Sequence, residues 1–326
     1  MSPRTRALLQ NLGAVVSWSV APVLIRYTSS SFPVALQTFF RYLASLVVLW
    51  AYLAASGQVS KANISRVFAS APRFLVIVVL NYCFQITWTV TYYTLLPGLG
   101  SLLFRSTTLF SVLLAVLLFP DEHGTLRSWS FLAGFPLALA GVSLTIIGGH
   151  SLGVPEFGLG ILAVLISAAS WAGVGAAIKS WLPDIPPSVS VVTVFTVVTP
   201  LFLLTHVVVT LGPWAPEGAS LLPVAPLRLW LIMLLSGLIG VGLGHSLFYR
   251  AVPVLGVTLS SNIGLLAPFL TSILSFVVFR ETFPPVKLAG GALLILGAWW
   301  VIRARFRTGG NAVVPPEVRG DGTQKP

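Results

Sequence analysis

The chain alternates long apolar runs with short polar connections. Each run has roughly the 20 residues that cross a bilayer as an α-helix, and the ~10-residue alternation typical of membrane β-strands is absent from the sequence. The pattern predicts ten spans, which are approximately Leu8–Tyr27, Val34–Ala54, Phe74–Leu95, Gly98–Phe119, Trp129–Gly148, Phe157–Ile178, Ser188–Thr210, Arg228–Tyr249, Val254–Phe279 and Val286–Arg303. The predicted fold class is therefore an all-α polytopic membrane protein.

A set of residues recurs in the second half of the chain. The pairs that match at an offset of 153 or 156 residues include Trp18 and Trp171, Tyr93 and Tyr249, Pro97 and Pro253, and Gly141 and Gly297. An internal repeat of this kind decides the architecture. We predict two copies of one unit, at residues 1–150 and 151–307, followed by a disordered cytoplasmic tail at residues 308–326 that mixes glycine, proline and charge.

The number of spans in each copy determines their relative orientation. Five is odd, so the second copy enters the membrane upside down relative to the first. Two inverted five-helix repeats around a site near the midplane are a recurring architecture of secondary transporters.

Composition and charge support a bilayer protein. The chain is 56% hydrophobic and 8% charged, whereas soluble domains carry about 25% charged residues. The net charge of +11 does not indicate nucleic-acid binding, because the basic residues lie in connections and tails. With both termini in the cytoplasm, 13 lysines and arginines lie inside and 4 outside, as the positive-inside rule requires of a multi-pass protein of the cell membrane.

Two absences from the sequence narrow the function. Every aspartate and glutamate falls in a connection, at a span end or in the tail. We also find no zinc-protease motif, no nucleophile–histidine–acid set, no phosphate loop and no paired cysteine ligands. We therefore expect neither an enzyme nor a protein with a cofactor or a metal.

Two arginines lie within predicted spans, about 10 Å below the external boundary at 1.5 Å per residue. We expect Arg41 to extend to the outer headgroups, as long basic side chains commonly do. For Arg105 two roles are open, this one and an inward-facing one. Ser101, Arg105 and Thr108 share one face of a helix, which favours an inward polar stripe with Arg105 and Thr108 as binding residues.

A second polar stripe lies on the third predicted span. Asn81, Gln85, Trp88 and Tyr92 are spaced i, i+4, i+7 and i+11. Amides fix the orientation of a ligand and aromatic rings supply apolar area, so we predict that Gln85, Trp88 and Tyr92 contact a substrate. The alternative is hydrogen bonding between helices, which asparagine and glutamine commonly provide in membranes.

The remaining candidate site residues are Trp18, Trp171, His245 and Asn262. The two tryptophans occupy matching positions in the two halves. His245 is the titratable candidate within the spans, although a lone membrane histidine is more often a packing group. Asn262 lies next to the position that repeats Arg105.

The sequence resembles the drug/metabolite transporter superfamily, specifically proteins with two EamA-type repeats, over roughly residues 8–303. The residues that carry the resemblance are Trp18, Trp171, Arg41, the Pro-x-x-Gly motifs at Pro97 and Pro253, Pro268 with Glu281, and Gly290 with Gly297. The first half departs from the pattern, because Leu109 replaces a proline and a longer FPDEHG turn follows. The resemblance implies a ten-helix exporter or exchanger that works by alternating access.

Together these features favour secondary transport of a small amphipathic metabolite. Arginine without an intramembrane acid favours a carboxylate-bearing substrate such as an amino acid or organic acid. The alternatives are a translocase for lipid-linked or phosphorylated molecules and a non-transporting membrane subunit.

Overall fold

A computed structural model of the protein describes residues 1–118, 128–148, 155–213, 215 and 219–307. All regular structure within these ranges is helical. The α-helices are α1 (Pro3–Thr28), α2 (Val34–Ala55), α3 (Lys61–Ala69), α4 (Ala71–Thr94), α5 (Pro97–Leu103), α6 (Thr107–Leu118), α7 (Trp129–Ile147), α8 (Pro155–Trp181), α9 (Pro187–Leu211), α10 (Leu227–Ser236), α11 (Gly244–Gly264), α12 (Ala267–Phe279) and α13 (Pro285–Arg307). The predicted tail at 308–326 and the FPDEHG turn lie outside the described residues.

The apolar helices confirm a multi-pass α-helical membrane protein. Within the described residues, eight helical segments are long and apolar enough to cross a membrane, the last of them running from Leu227 to Gly256. Two shorter apolar helices, Ala267–Phe279 and Pro285–Val301, complete the described chain. The count of ten spans and the inverted repeat remain predictions.

Local sequence signals place the helix starts. The Ser2 hydroxyl accepts a hydrogen bond from the backbone N–H of Thr5 at 3.1 Å, which satisfies one of the free donors at the start of α1. Pro97 stands in the first turn of α5, where its missing N–H costs no helical hydrogen bond.

Glycines bring α7 and α13 into backbone contact. A β-carbon added at Gly134 would lie 3.0 Å from the carbonyl oxygen of Gly297, and one at Gly141 would lie 2.8 Å from that of Gly290. These four glycines are the matched positions of the predicted repeat. Small residues at such a crossing let membrane helices approach closely.

Two helical segments depart from regular α geometry next to the molecular centre. Phe104–Ser106 is a 3₁₀ turn between α5 and α6, and Gly237–Leu243 is a π-helix between α10 and α11. Such segments change the direction of side chains within an otherwise continuous helix, and π-helical turns are frequent at functional sites.

The predicted break between Tyr249 and Val254 is wrong. The chain stays helical through Pro253, and the backbone turns at Gly256, whose φ of 78° is non-helical. Glycine adopts this positive φ without the penalty that a β-carbon brings.

Helices from both predicted halves surround the centre. α1 packs against α11 and the π-helix, α2 packs against the π-helix and α9, and α4 packs against α8. The largest cluster of buried apolar side chains, which includes Tyr42, Phe195 and Phe202, lies between α2 and α9. The functional residues described next line the space that these helices leave.

Candidate functional site

A cavity of about 190 Å³ lies between the two predicted halves. We call it the central cavity. Its lining residues are Trp18, Ala21, Pro22, Arg41, Tyr42, Phe84, Gln85, Trp88, Ser101, Phe104, Arg105, Trp171, Phe195, Gly240, Val241, His245, Ala267 and Thr271. The sequence-predicted residues Trp18, Gln85, Trp88, Arg105, Trp171 and His245 are among them.

Aromatic rings form much of the wall. The ring centroids of Trp88 and Phe104 are 4.4 Å apart, and those of Phe84 and Trp171 are 4.7 Å apart. Trp18, on α1, packs against α11 of the other predicted half, with its ring centroid 5.3 Å from that of Phe248. Such rings offer apolar area and π faces to a ligand at little cost in conformational entropy.

Arg41 lies inside the bundle, so the expected extension to the headgroups is wrong. Its side chain is 1% exposed and lines the central cavity. Its Nε donates a hydrogen bond to the Ser236 hydroxyl at 3.0 Å, whereas Nη1 is buried without a hydrogen-bond partner. The cause is the close approach of Gly237, where an added β-carbon would collide with the backbone of Arg41.

Arg105 also lines the central cavity, which favours the inward role over the headgroup role. The residue lies in the 3₁₀ turn Phe104–Ser106, and its Nε is buried without a hydrogen-bond partner. In a 3₁₀ turn the chain rotates about the helix axis by about 20° more per residue than in an α-helix. The predicted stripe is therefore twisted, and Thr108 falls outside the cavity lining while Ser101 and Arg105 stay within it.

The polar stripe on α4 divides into contact and support residues. Gln85 and Trp88 line the cavity, whereas Tyr92 is fully buried behind them and falls outside the lining. The Tyr92 hydroxyl lies 3.3 Å from that of Ser101, and its ring meets Trp88 edge to face at 4.6 Å. Tyr92 thus positions the wall, a role closer to the alternative of hydrogen bonding between helices.

Gln85 is oriented from α2. The Tyr42 hydroxyl lies 3.2 Å from Gln85 Oε1 and 3.3 Å from Asn81 Oδ1. With its oxygen held by a donor, the Gln85 amide presents its N–H groups as donors. The amides of Asn81 and Gln85 are therefore both positioned by the hydroxyl of Tyr42, a residue that the sequence analysis did not single out.

His245 stands among aromatic rings at the edge of the cavity. Its Nδ1 lies 2.9 Å from the carbonyl oxygen of Val241, and since a carbonyl only accepts, Nδ1 is the donor. Its ring centroid is 5.7 Å from Trp18 and 5.5 Å from Phe195. The side chain of the other predicted residue, Asn262, lies outside the described residues.

The lining of the central cavity is positively charged. Among the residues that the structure describes there, two are arginines and none is a carboxylate. Each guanidinium carries a buried nitrogen without a partner. A buried charge without a counter-charge is costly, so this cavity is electrostatically suited to an anionic group.

Glu281 lies in a connection between two helices, as predicted, but the sequence analysis did not predict its burial or its contacts. It is 2% exposed and lies against the start of α5 in the other predicted half. Its two carboxylate oxygens accept hydrogen bonds from the backbone N–H groups of Gly98 (2.8 Å) and Leu99 (2.9 Å). Lys287 Nζ pairs with it at 2.6 Å, and the Ser275 hydroxyl donates to it.

We call Glu281, Lys287, Ser275, Gly98 and Leu99 the clasp. A carboxylate at a helix N-terminus is stabilised by the free N–H groups and by the helix dipole. The clasp therefore ties α12 and α13 to α5, the helix that leads into Arg105. In the sequence, the signal for this contact was an acidic residue 13 positions after Pro268, together with a helix start at Pro97 that has no capping side chain before it.

The comparisons with known proteins bear on the fold and on the family of one segment of the chain. Residues 158–303 match the EamA-like transporter family. A solved crystal structure aligns with 94% of this chain and 99% of its own length, at a TM-score of 0.63 and 20% identity, which shows a shared fold. The search of curated proteins gives no match.

The family match confirms the predicted resemblance to drug/metabolite transporters. The matched segment is the half in which the motifs at Pro253, Pro268 and Gly290 are intact. Residues 158–303 thus resemble an EamA-like transporter domain, and this match suggests a membrane transporter of the drug/metabolite type.

Proposed function

We propose that the protein is a secondary transporter that moves a small amphipathic solute bearing a carboxylate, such as an amino acid or an organic acid, through the central cavity. It works as an exporter or an exchanger. The observation that carries the proposal is the pair of arginines, Arg41 and Arg105, which line one cavity with buried nitrogens that have no partner in the protein.

The carboxylate of the solute supplies the missing acceptor. An arginine–carboxylate hydrogen bond is charge-assisted and is about twice as strong as a neutral one. Gln85 offers a third donor on the same wall, oriented by the Tyr42 hydroxyl at 3.2 Å. These groups fix the polar end of the solute, and the rings of Trp88 and Trp171 accommodate its apolar part.

The size of the central cavity favours a metabolite over a lipid-linked molecule. Its volume is about 190 Å³, below the ~300–1,000 Å³ of drug-sized ligand pockets. A carboxylic acid with one apolar side chain is in keeping with this volume.

The mechanism is alternating access by two inverted five-helix halves, with ten spans in all. Helices of both predicted halves line the cavity, which supports a site between them. The halves are in polar contact there through α1 and α12, since the Ser19 hydroxyl lies 3.1 Å from the Ala267 carbonyl oxygen and the Thr271 hydroxyl 3.1 Å from the Ser19 carbonyl oxygen. The distribution of lysine and arginine supports cytoplasmic termini in the cell membrane.

Exchange in liposomes tests the proposal. Purified protein is reconstituted into vesicles preloaded with one of a panel of labelled amino and organic acids, and efflux is measured against external solute. We expect Arg41→Gln and Arg105→Gln each to raise KM roughly 10- to 150-fold, since a hydrogen bond to a charged group contributes about 1.5–3 kcal/mol.

The matched control is Arg228→Gln, which removes an exposed arginine at the start of α10 and leaves KM unchanged. Trp88→Ala is expected to reduce the flux of solutes with large apolar parts more than that of small ones. If the panel does not exchange while a labelled phospholipid changes leaflet, the proposal is wrong.

A further inference from the structure

A second cavity, of about 450 Å³, lies at the end of the bundle where α1 begins. We call it the basal pocket. The polar residues that line it are Arg6, Gln10, Tyr52, Gln58, Tyr249 and Arg250. It is larger than the central cavity, and neither the family match nor the sequence motifs assign it a role.

The basal pocket and the central cavity lie one behind the other along the same three helices. On α1, Gln10 borders the pocket and Trp18 borders the cavity, about 12 Å further along at 1.5 Å per residue. On α2, Tyr42 and Tyr52 are separated by about 15 Å in the same way. The pocket is therefore axial, in line with the central cavity.

Tyr249 lies between the two spaces. It follows His245 by one turn of α11, or about 6 Å, and its ring centroid is 6.3 Å from that of His245. Its ring borders the basal pocket, whereas His245 borders the central cavity. One aromatic side chain thus separates them along α11.

The charge of the basal pocket matches that of the central cavity. Arg6 and Arg250 are both exposed to it, and no carboxylate occurs among the described residues of its lining. Arg250 lies over the ring of Tyr52, with its Cζ 5.2 Å from the ring centroid. This cation–π contact holds one of the two positive charges against the wall.

We infer that the basal pocket is a second, weaker binding site for the carboxylate-bearing solute, and that Tyr249 is the partition through which the solute passes to the central cavity. The identity of the solute rests on the proposed function. Because Arg6 and Arg250 are exposed, they attract the anion in a salt-dependent way, whereas the buried arginines beyond Tyr249 bind it where water is excluded.

The attraction of anions to the basal pocket by Arg6 and Arg250 is tested without any transported solute. A single reactive cysteine is placed in the pocket by Gln10→Cys in a Cys83→Ser background, since Cys83 is the single native cysteine. Its modification by an anionic methanethiosulfonate (2-sulfonatoethyl) is compared with that by the cationic trimethylammonium-ethyl reagent. Two arginines at about 8 Å are expected to favour the anion ~4-fold at 0.15 M salt.

Arg6→Gln with Arg250→Gln is expected to lower this preference about threefold, and 1 M salt to abolish it. The matched control, Arg4→Gln with Lys61→Gln, removes two exposed cations outside the lining of the pocket and is expected to keep the preference. An anion preference that the loss of Arg6 and Arg250 leaves unchanged overturns the inference, whatever the outcome of the exchange assay.

Protection experiments identify the occupant. In detergent with zwitterionic lipid, millimolar benzoate is expected to slow the modification of the cysteine at position 10 in the protein that keeps Arg6 and Arg250. If anionic phosphatidylglycerol protects and benzoate does not, the pocket binds a lipid headgroup, and the inference is wrong.

The partition is tested with a cysteine in the central cavity. Ser101→Cys places it there, and Tyr249→Ala is expected to raise its modification rate about tenfold, while Tyr249→Phe, which keeps the ring, leaves the rate near that of the unsubstituted position. Equal rates for Tyr249→Ala and Tyr249→Phe overturn the role of Tyr249.

Discussion

Glu281→Gln replaces the central carboxylate of the clasp with a neutral group of the same shape. The amide oxygen can still accept a hydrogen bond from one backbone N–H group. The amide N–H₂ group replaces the second carboxylate oxygen, and it cannot accept a hydrogen bond from the donors that faced that oxygen. Lys287, which is 3% exposed, then loses its counter-charge at 2.6 Å. The substitution thus leaves a buried cation unpaired.

Removal of one partner from a buried ion pair costs about 3–5 kcal/mol. For a chain of 326 residues, with an unfolding entropy of about 2.1 cal/mol/K per residue, 1 kcal/mol corresponds to roughly 1.5 °C in Tm. We therefore expect Glu281→Gln to lower Tm by roughly 4–8 °C, measured by tryptophan fluorescence during heating in detergent. Asp184→Asn, which changes an exposed acid in the same way, is the control and is expected to have little effect.

A double substitution distinguishes the ion pair from general damage. In Glu281→Gln with Lys287→Met the unpaired cation is gone, so the double variant is expected to be more stable than Glu281→Gln alone. The two effects are then strongly non-additive, as for residues in one network. A Tm of Glu281→Gln within about 2 °C of the original protein, or strictly additive losses, refutes this account of the clasp.

Three further substitutions follow from the packing. Gly141→Ala is expected to destabilise the fold by about 1–3 kcal/mol through overpacking, because the new methyl group would lie 2.8 Å from the Gly290 carbonyl oxygen. The control, Gly175→Ala, places a methyl group with nothing within 4 Å and is expected to leave Tm unchanged or raise it. Gly244→Ala would place a methyl 2.6 Å from Trp18 Nε1 and is expected to shift that ring and raise KM for exchange with little loss of Tm; an unchanged KM contradicts this. Arg26→Gln removes the hydrogen bond from Arg26 Nη1 to the Tyr93 carbonyl, 2.5 Å long, and is expected to cost about 1.5–3 kcal/mol in a melting experiment, so an unaltered Tm argues against it.

The sequence predicted the features that depend on local pattern. Apolar run length identified the membrane helices, and helical periodicity brought Gln85 and Trp88 to one wall. The sequence placed Thr108 on the same helix face as Arg105, whereas the structure leaves it outside the cavity lining. The 3₁₀ turn Phe104–Ser106 rotates the following residues about the helix axis, and so short a turn does not change the hydrophobic pattern.

The burial of Arg41 and of Glu281 was not predicted, for a different reason. Arg41 is buried because Gly237, 196 residues later in the chain, lets the two backbones approach. Glu281 is buried because it caps a helix that begins 184 residues earlier, at Pro97. Both outcomes depend on contacts between the predicted halves, and a single sequence carries no direct signal of which residues meet across such an interface.

On the proposed mechanism, the clasp and the basal pocket have opposite roles at the two ends of one path. The solute meets exposed arginines at the basal pocket and buried ones in the central cavity, so its affinity increases as it moves inward. On the same proposal, release at the far end involves a movement of α5, which leads into the 3₁₀ turn that carries Arg105. The clasp holds α5 by two backbone hydrogen bonds from a paired carboxylate, and its opening uncovers both Glu281 and Lys287 to water, which recovers part of the cost of separating them. A clasp made of charged groups can therefore hold the helices while it is buried, and it can still open because water then hydrates the separated charges. An apolar contact of equal strength would not be offset in this way, since water does not stabilise exposed apolar groups.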